Sequence, residues 1–319
     1  MYPLLFNNIL IEKVWGGRNL QNILNINLPD ERLYGESWVV SDIENHLSIV
    51  QNGRHKGKSL HDLLTEYGDS LTGPGISSVF PGSFPLLVKY IDITDKLSIQ
   101  VHPDDNAALK DGYVSGKHES WYVINASSDA EIIAGLKPGI SKNLLINMPY
   151  DKIRDYYNVI KVKTGDFLNI EPGTVHATYC GSILVCEIQQ NSDITYRIYD
   201  YDREYNGAKR ELQIEKGIET IIEKNSVRII HTDSKSGNDK NRADILTENK
   251  FYSIYKLRIC NKYIDPVHKN FKIFSAISGN GILKCGSQSY TISTGMTYLL
   301  PAGLNVEICG RIEILKSYL

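Results

Sequence analysis

Two stretches of the chain carry one layout. Gly165-Asp-Phe-Leu-Asn-Ile-Glu-Pro-Gly173-Thr-Val-His176 aligns with Gly295-Met-Thr-Tyr-Leu-Leu-Pro-Ala-Gly303-Leu-Asn-Val306, glycine on glycine and His176 on Val306. In each copy a glycine precedes a short apolar run, and a second glycine precedes the next extended segment. Glycine at such points allows backbone turns with positive φ that a side chain would resist. A repeated strand–turn–strand is a severe constraint, because it predicts two related β units. Only the first keeps a histidine at the end of the motif, with Glu171 where the second has Pro301.

The rest of the chain agrees with a mainly β architecture. Phe84 to Asp92 reads as a buried strand holding one interior charge, Lys89, and Ile132–Leu136, Ser182–Gln189 and Thr195–Tyr199 read as further strands. Lys161 to Ile170 reads as strand, with Gly165-Asp166 as a turn inside a hairpin. Residues 250–319 alternate strands with Gly turns, a pattern that fits barrels or jelly rolls. Helices are few: one capped by Ser59, one capped by Asp104 or Asp105, a two-piece segment over 141–158 broken near Pro149, and Glu211 to Lys224. Residues 73–85 read as a surface loop. The Ser/Asp/Lys/Gly/Asn run from Thr232 to Lys240 has linker composition, which divides the chain into 1–235 and 241–319.

Chemistry concentrates between Leu97 and Trp121. Strand alternation puts Ser98, Gln100 and His102 on one face and Leu97, Ile99 and Val101 on the other, until Pro103 ends the ladder. Lys117 and Glu119 share a face of the next extended segment, so Gln, His, Glu and Lys converge if the two strands lie close together. A net charge of -2 without a basic, aromatic-laced stripe speaks against nucleic acid. No run reaches the ~18 apolar residues of a membrane span. The N-terminus lacks the basic and apolar regions of a signal peptide, and the five cysteines are odd in number and show no C-x-x-C spacing. Together these point to buried free thiols and a cytoplasmic protein.

The repeated motif resembles the second motif of the cupin barrel. Ile-Gln-Val-His-Pro-Asp-Asp, Gly-Lys-x-Glu-x-Trp-Tyr, Pro-Gly-Thr-Val-His-Ala and Gln-Gln-Asn-Ser-Asp-x-Thr-Tyr-Arg-x-Tyr-Asp resemble, in combination, the type I mannose-6-phosphate isomerases of the short bacterial branch. The resemblance implies two cupin (jelly-roll) barrels, a catalytic metal-binding one over 1–235 and a metal-free one over 241–319. It implies one Zn2+ per chain held by Gln100, His102, Glu119 and His176, a set without thiolate that suits a catalytic rather than a sealed structural site. It also implies interconversion of mannose 6-phosphate and fructose 6-phosphate through an enediol, with Arg197 as the active-site cation.

The proton carrier stays open between Glu187, which has apolar neighbours, Asp193 and a metal-bound water. Lys117 is a candidate for holding substrate or relaying a proton, and Ser98 and Lys89 are weaker candidates for the phosphate. Arg197 could instead pair with Asp193 or Asp200. Other readings are an isomerase of another sugar or of unphosphorylated mannose, a sugar-binding cupin without activity, and an oxygenase, which Gln100 in place of a histidine disfavours. The expected partner is a sugar phosphate, and the expected assembly a monomer or weak homo-oligomer.

Overall fold

The computed structural model describes residues 1–149, 152–205, 207–232 and 240–319. Three antiparallel sheets hold most of its regular structure. One has seven strands, in the order Arg228–His231, Asp166–Ile170, Glu119–Ala126, Ile183–Gln190, Leu86–Ile93, Tyr34–Val40 and Ile9–Gly17. A second has five, in the order Tyr157–Lys161, Glu131–Leu136, His176–Cys180, Ile99–Val101 and Tyr196–Tyr199.

Side-chain alternation explains how these sheets stack. Along Ile183–Gln190, Ile183 and Val185 pack with Ile91, Trp121 and Val123 and with Ile132 and Ala134 of the five-stranded sheet. The two sheets therefore face one another. Leu184, Cys186 and Ile188 point the opposite way and join Tyr90, Tyr122 and Phe167 against Tyr252, Ile254, Ile273, Leu299 and Leu315. The outer face of the five-stranded sheet is covered by Leu145, Met148, Ile153, Ile218 and Ile221.

The third sheet runs Leu4–Leu5, Thr297–Leu300, Lys272–Cys285, Val306–Tyr318, Ser253–Ile259 and Arg242–Glu248, with Lys262–Asp265 and Gln288–Ser293 attached at its sides. Its far face makes a separate aliphatic cluster that contains Val306, Ile308, Ile312 and Ile314. The fold is mainly β, and among the described residues no sheet closes on itself.

The repeated motif is visible in the backbone. Its four glycines, Gly165, Gly173, Gly295 and Gly303, have φ of 91°, 81°, 87° and 74°. Gly165 starts a turn as expected, but not a hairpin: Tyr157–Lys161 pairs with Glu131–Leu136 in one sheet, and Asp166–Ile170 pairs with Glu119–Ala126 in the other. Buried Val162 lies between them, so the chain crosses through the core there instead of folding back.

Two of the expected helices form as their capping residues predict, and two are shorter than their sequence patterns predict. Ser59 caps Leu60–Tyr67 in a reciprocal capping box with Asp62, and Asp104 caps Asp105–Lys110. Over 141–158 there is a 3-10 turn, Lys142–Asn147, and a single helical turn, Ile153–Tyr156; residues 150 and 151 at the expected break lie outside the described residues. The 211–224 helix shrinks to Ile214–Thr220, because the Ile222 N–H donates to the Gly173 carbonyl at 2.9 Å. Within 73–85, Ile76–Val79 forms a helical turn with Ile76 and Phe84 buried. Most of the expected linker, residues 233–239, lies outside the described residues. No described helix is long and apolar enough to cross a membrane.

Candidate metal centre and active site

Register across each sheet places the functional side chains in two rows. In the five-stranded sheet His176 is paired with Gln100, and Gln100 with Arg197. In the seven-stranded sheet Trp121 is paired with Glu187, Glu187 with Lys89, and Lys89 with Trp38. Directly opposed residues in antiparallel strands project to the same side, so each row presents its side chains together. Apart from His176, both rows line one cavity of about 170 Å³, with Ser98, Lys117, Asp193 and Thr195 also in its wall. All three tryptophans of the chain, Trp15, Trp38 and Trp121, lie in that wall as well.

Next to Gln100 and Lys117 of that wall His102, Glu119 and His176 converge, with one nitrogen or carboxylate oxygen of each within 4.8 Å of the others. His176 Nε2 is 3.1 Å from Glu119 Oε1, and His102 Nε2 is 3.4 Å from Glu119 Oε2. His102 Nδ1 lies 2.9 Å from the Ile194 carbonyl and His176 Nδ1 2.9 Å from the Thr174 carbonyl. Each Nδ1 therefore carries the proton and donates it outward, which leaves both Nε2 lone pairs facing the cluster.

Gln100 lays its amide 3.4 Å from His176 Nε2, and a half-turn of that amide brings its oxygen to the same point. His102 Nε2 and both Glu119 oxygens are buried without a hydrogen bond. Buried polar atoms are rarely left so, and several on one point are what a divalent cation would satisfy. The residues fit a metal ion. Burial, with the Lys117 charge, lowers His102 to about 3, which keeps its imidazole neutral.

The two buried carboxylates are driven in opposite directions. Burial opposes the Glu119 charge, but the Lys117 ammonium, 2.9 Å away, holds it well below the usual carboxylate range. Burial raises Glu187 above that range against the pull of Lys117, with Glu119 adding to the rise. Glu187 receives a hydrogen bond from Trp121 Nε1 at 2.7 Å, stands 3.6 Å from Lys89 Nζ, and keeps Oε1 without a partner.

Residues 4–130 match the family described as phosphomannose isomerase type I, catalytic domain, and residues 243–319 match mannose-6-phosphate isomerase, cupin domain. The chain is 36% identical over 320 residues to mannose-6-phosphate isomerase ManA of Bacillus subtilis, covering 99% of each chain. The chain belongs to the type I mannose-6-phosphate isomerases. Its class is thus that of the aldose–ketose isomerases. The mannose-6-phosphate isomerase of Streptococcus mutans is 34% identical over 319 residues, covering 99% of this chain and 98% of that one. The crystal structure of the Bacillus subtilis mannose 6-phosphate isomerase superposes over 100% of both chains with a TM-score of 0.87 at 32% identity.

In this type I isomerase, Gln100, Lys117, Glu187 and Arg197 share one cavity wall, and His102, Glu119 and His176 cluster against Gln100 and Lys117. Lys117 is 5% exposed, so it is no solvated lysine. Arg197 does not take the ion pairs that were open to it: Asp200 is bound by Arg203, and Asp193 lies 3.6 Å from Lys89. Its Nε is buried without a partner, and burial with Arg210 nearby lowers its basicity.

Sequence reasoning missed Lys13, Glu36 and Trp38. Lys13 lies 3.0 Å from Glu36, Trp38 Nε1 donates to Glu36 Oε2 at 2.6 Å, and the Lys89 ammonium sits 4.2 Å above the Trp38 ring. The Glu36/Trp38 spacing was a usable hint, since both share a strand face, but only long-range pairing shows which face lines the cavity.

Proposed function

We propose that this chain interconverts D-mannose 6-phosphate and D-fructose 6-phosphate, with one Zn2+ held by Gln100, His102, Glu119 and His176. The observation that carries the reading is the convergence of His102, Glu119 and His176, next to Gln100 and Lys117 of a cavity wall that also holds Glu187 and Arg197, in a chain of this family. A bound divalent cation supplies Lewis acidity at the sugar oxygens, worth several kcal/mol against the charge that develops during proton transfer.

The chain's own groups supply the rest. A C–H beside a carbonyl is a weak acid, so the base must be desolvated and poised near neutrality. Two carboxylates driven apart divide the work: Glu119, held ionised, serves the metal, and Glu187, raised by burial, moves the proton between C2 and C1 of a cis-enediol. Arg197 provides a fixed positive charge for the developing oxyanion. Lys117 keeps Glu119 charged and orders the cavity wall, while the phosphate meets cations at the cavity mouth, with Lys89 and Ser98 within reach. We read 1–235 as the catalytic cupin unit and 241–319 as a second cupin unit that holds no metal.

The test is turnover of both sugar phosphates by purified protein before and after chelation and zinc repletion. The expected outcome is loss on chelation, recovery with zinc, and a fall of about 100-fold or more in Arg197→Ala that still holds its metal. A zinc-loaded protein that turns over neither sugar phosphate would sink the substrate assignment.

A further inference from the structure

Three polar side chains in the active-site wall have unequal surroundings, and the inequality singles out Trp121. Glu187 Oε2 accepts from the Trp121 indole at 2.7 Å, and Glu187 Oε1 is buried with no hydrogen bond. The two residues are direct cross-strand partners, so the contact is set by sheet register and not by a flexible reach. The other face of the indole is equally constrained: its ring meets the His176 imidazole edge-on, with centroids 5.8 Å apart at 82°. Trp121 is 2% exposed. On the opposite flank Lys89, itself held over Trp38, approaches Glu187 only to 3.6 Å, too far for a hydrogen bond that would compete for Oε1.

We propose that Trp121 is a positioning residue: its indole N–H holds one Glu187 oxygen, so that the free oxygen, Oε1, is the one turned to the sugar carbons. This rests on the reading of Glu187 as the proton carrier. A donor on one oxygen does two things. It stops rotation of the carboxylate about its terminal torsion, which is otherwise broad, and it favours the ionised form, offsetting part of the upward push of burial. A wall residue alone would do neither.

The test compares the zinc-loaded native chain with Trp121→Phe and Glu187→Gln, measuring zinc content, kcat, KM for mannose 6-phosphate and the pH profile of kcat. For Trp121→Phe the expected result is native zinc content, KM within about twofold, kcat down about 10- to 100-fold, and an acid limb moved to higher pH. The direction follows because the carboxylate is the working base and loses a donor that favoured its ionised form. If Trp121→Phe does not fold, 3-benzothienylalanine at 121 keeps the bicyclic ring and removes only the N–H.

Glu187→Gln separates the two readings. Full turnover in Glu187→Gln removes Glu187 from proton transfer and overturns this inference together with that role. An inactive Glu187→Gln beside Trp121 variants with native kcat and an unmoved acid limb overturns the Trp121 inference alone, as does a loss confined to KM.

Discussion

The two copies of the glycine motif make an internal comparison. Backbone and glycines are alike, with four positive φ values between 74° and 91°. What differs is the cross-strand partner at the last position. His176 is opposed by Gln100, beside atoms with no hydrogen bond, and the turn before it links two facing sheets. Val306 is opposed by Asp265, which already binds Lys272 and Lys316, and its turn stays within one sheet. The lesson is that the motif specifies a turn, whereas the metal site needs an unsatisfied neighbourhood as well.

Exchanging the motif-final residues should break the comparison most. His176→Val copies the second motif into the first. It is expected to lose the metal and to lower turnover by about 1000-fold or more while keeping the sheet, as checked by metal analysis, kinetics and circular dichroism. The converse, Val306→His, should gain no metal, because the acid opposite it is already neutralised.

Next in size is backbone strain. A Cβ added at Gly295 would lie 2.0 Å from the Leu24 carbonyl oxygen, whereas one at Gly303 would meet nothing within 4 Å. Gly295→Ala should therefore cost roughly 2–4 kcal/mol and Gly303→Ala about 1, the cost of positive φ alone. Urea unfolding of both variants checks this, and equal losses would mean that the turn conformation, not the close approach, sets the constraint.

The last prediction concerns charge on the cavity side of the molecule. Burial would raise Glu36, but Lys13, Lys89 and the Trp38 indole bring it down to about 2 from the ordinary 4.5. A depressed carboxylate stabilises the fold fully above its unfolded value and loses that contribution as pH falls through the folded one. The stability gap between the native chain and Glu36→Gln should be at most about 3 kcal/mol at pH 7. It should hold down to about pH 4.5 and close towards pH 2. Denaturant unfolding at several pH values would show it; a gap that widens on acidification contradicts the assignment.

These contrasts also show what was legible in the sequence. The alternation of Ser98, Gln100 and His102 and the Lys117/Glu119 pair are local patterns, and local patterns survive folding because strand side chains must alternate. The spacing of the motif glycines likewise fixed both turns. The pairing of Glu187 with Trp121 on one side and Lys89 on the other depends on register between distant strands, which no local pattern encodes. Trp38 and Glu36 reach the cavity by the same non-local route. The 211–224 helix is shorter than its pattern because a backbone bond from Ile222 to Gly173, set by long-range packing on the five-stranded sheet, ends it early. The helix capped by Ser59, in contrast, has its boundaries in its own local sequence.

The clustering of every tryptophan in one wall has an optical consequence. Tryptophan emission, excited beyond the tyrosine absorption, originates entirely beside the cavity, with an ammonium over the Trp38 indole and carboxylates accepting from the Trp38 and Trp121 indoles. Any occupant that displaces water there alters the intensity or colour of that tryptophan signal, without dilution by distant indoles. The unlabelled protein is thus its own binding gauge, readable under conditions where no product is formed.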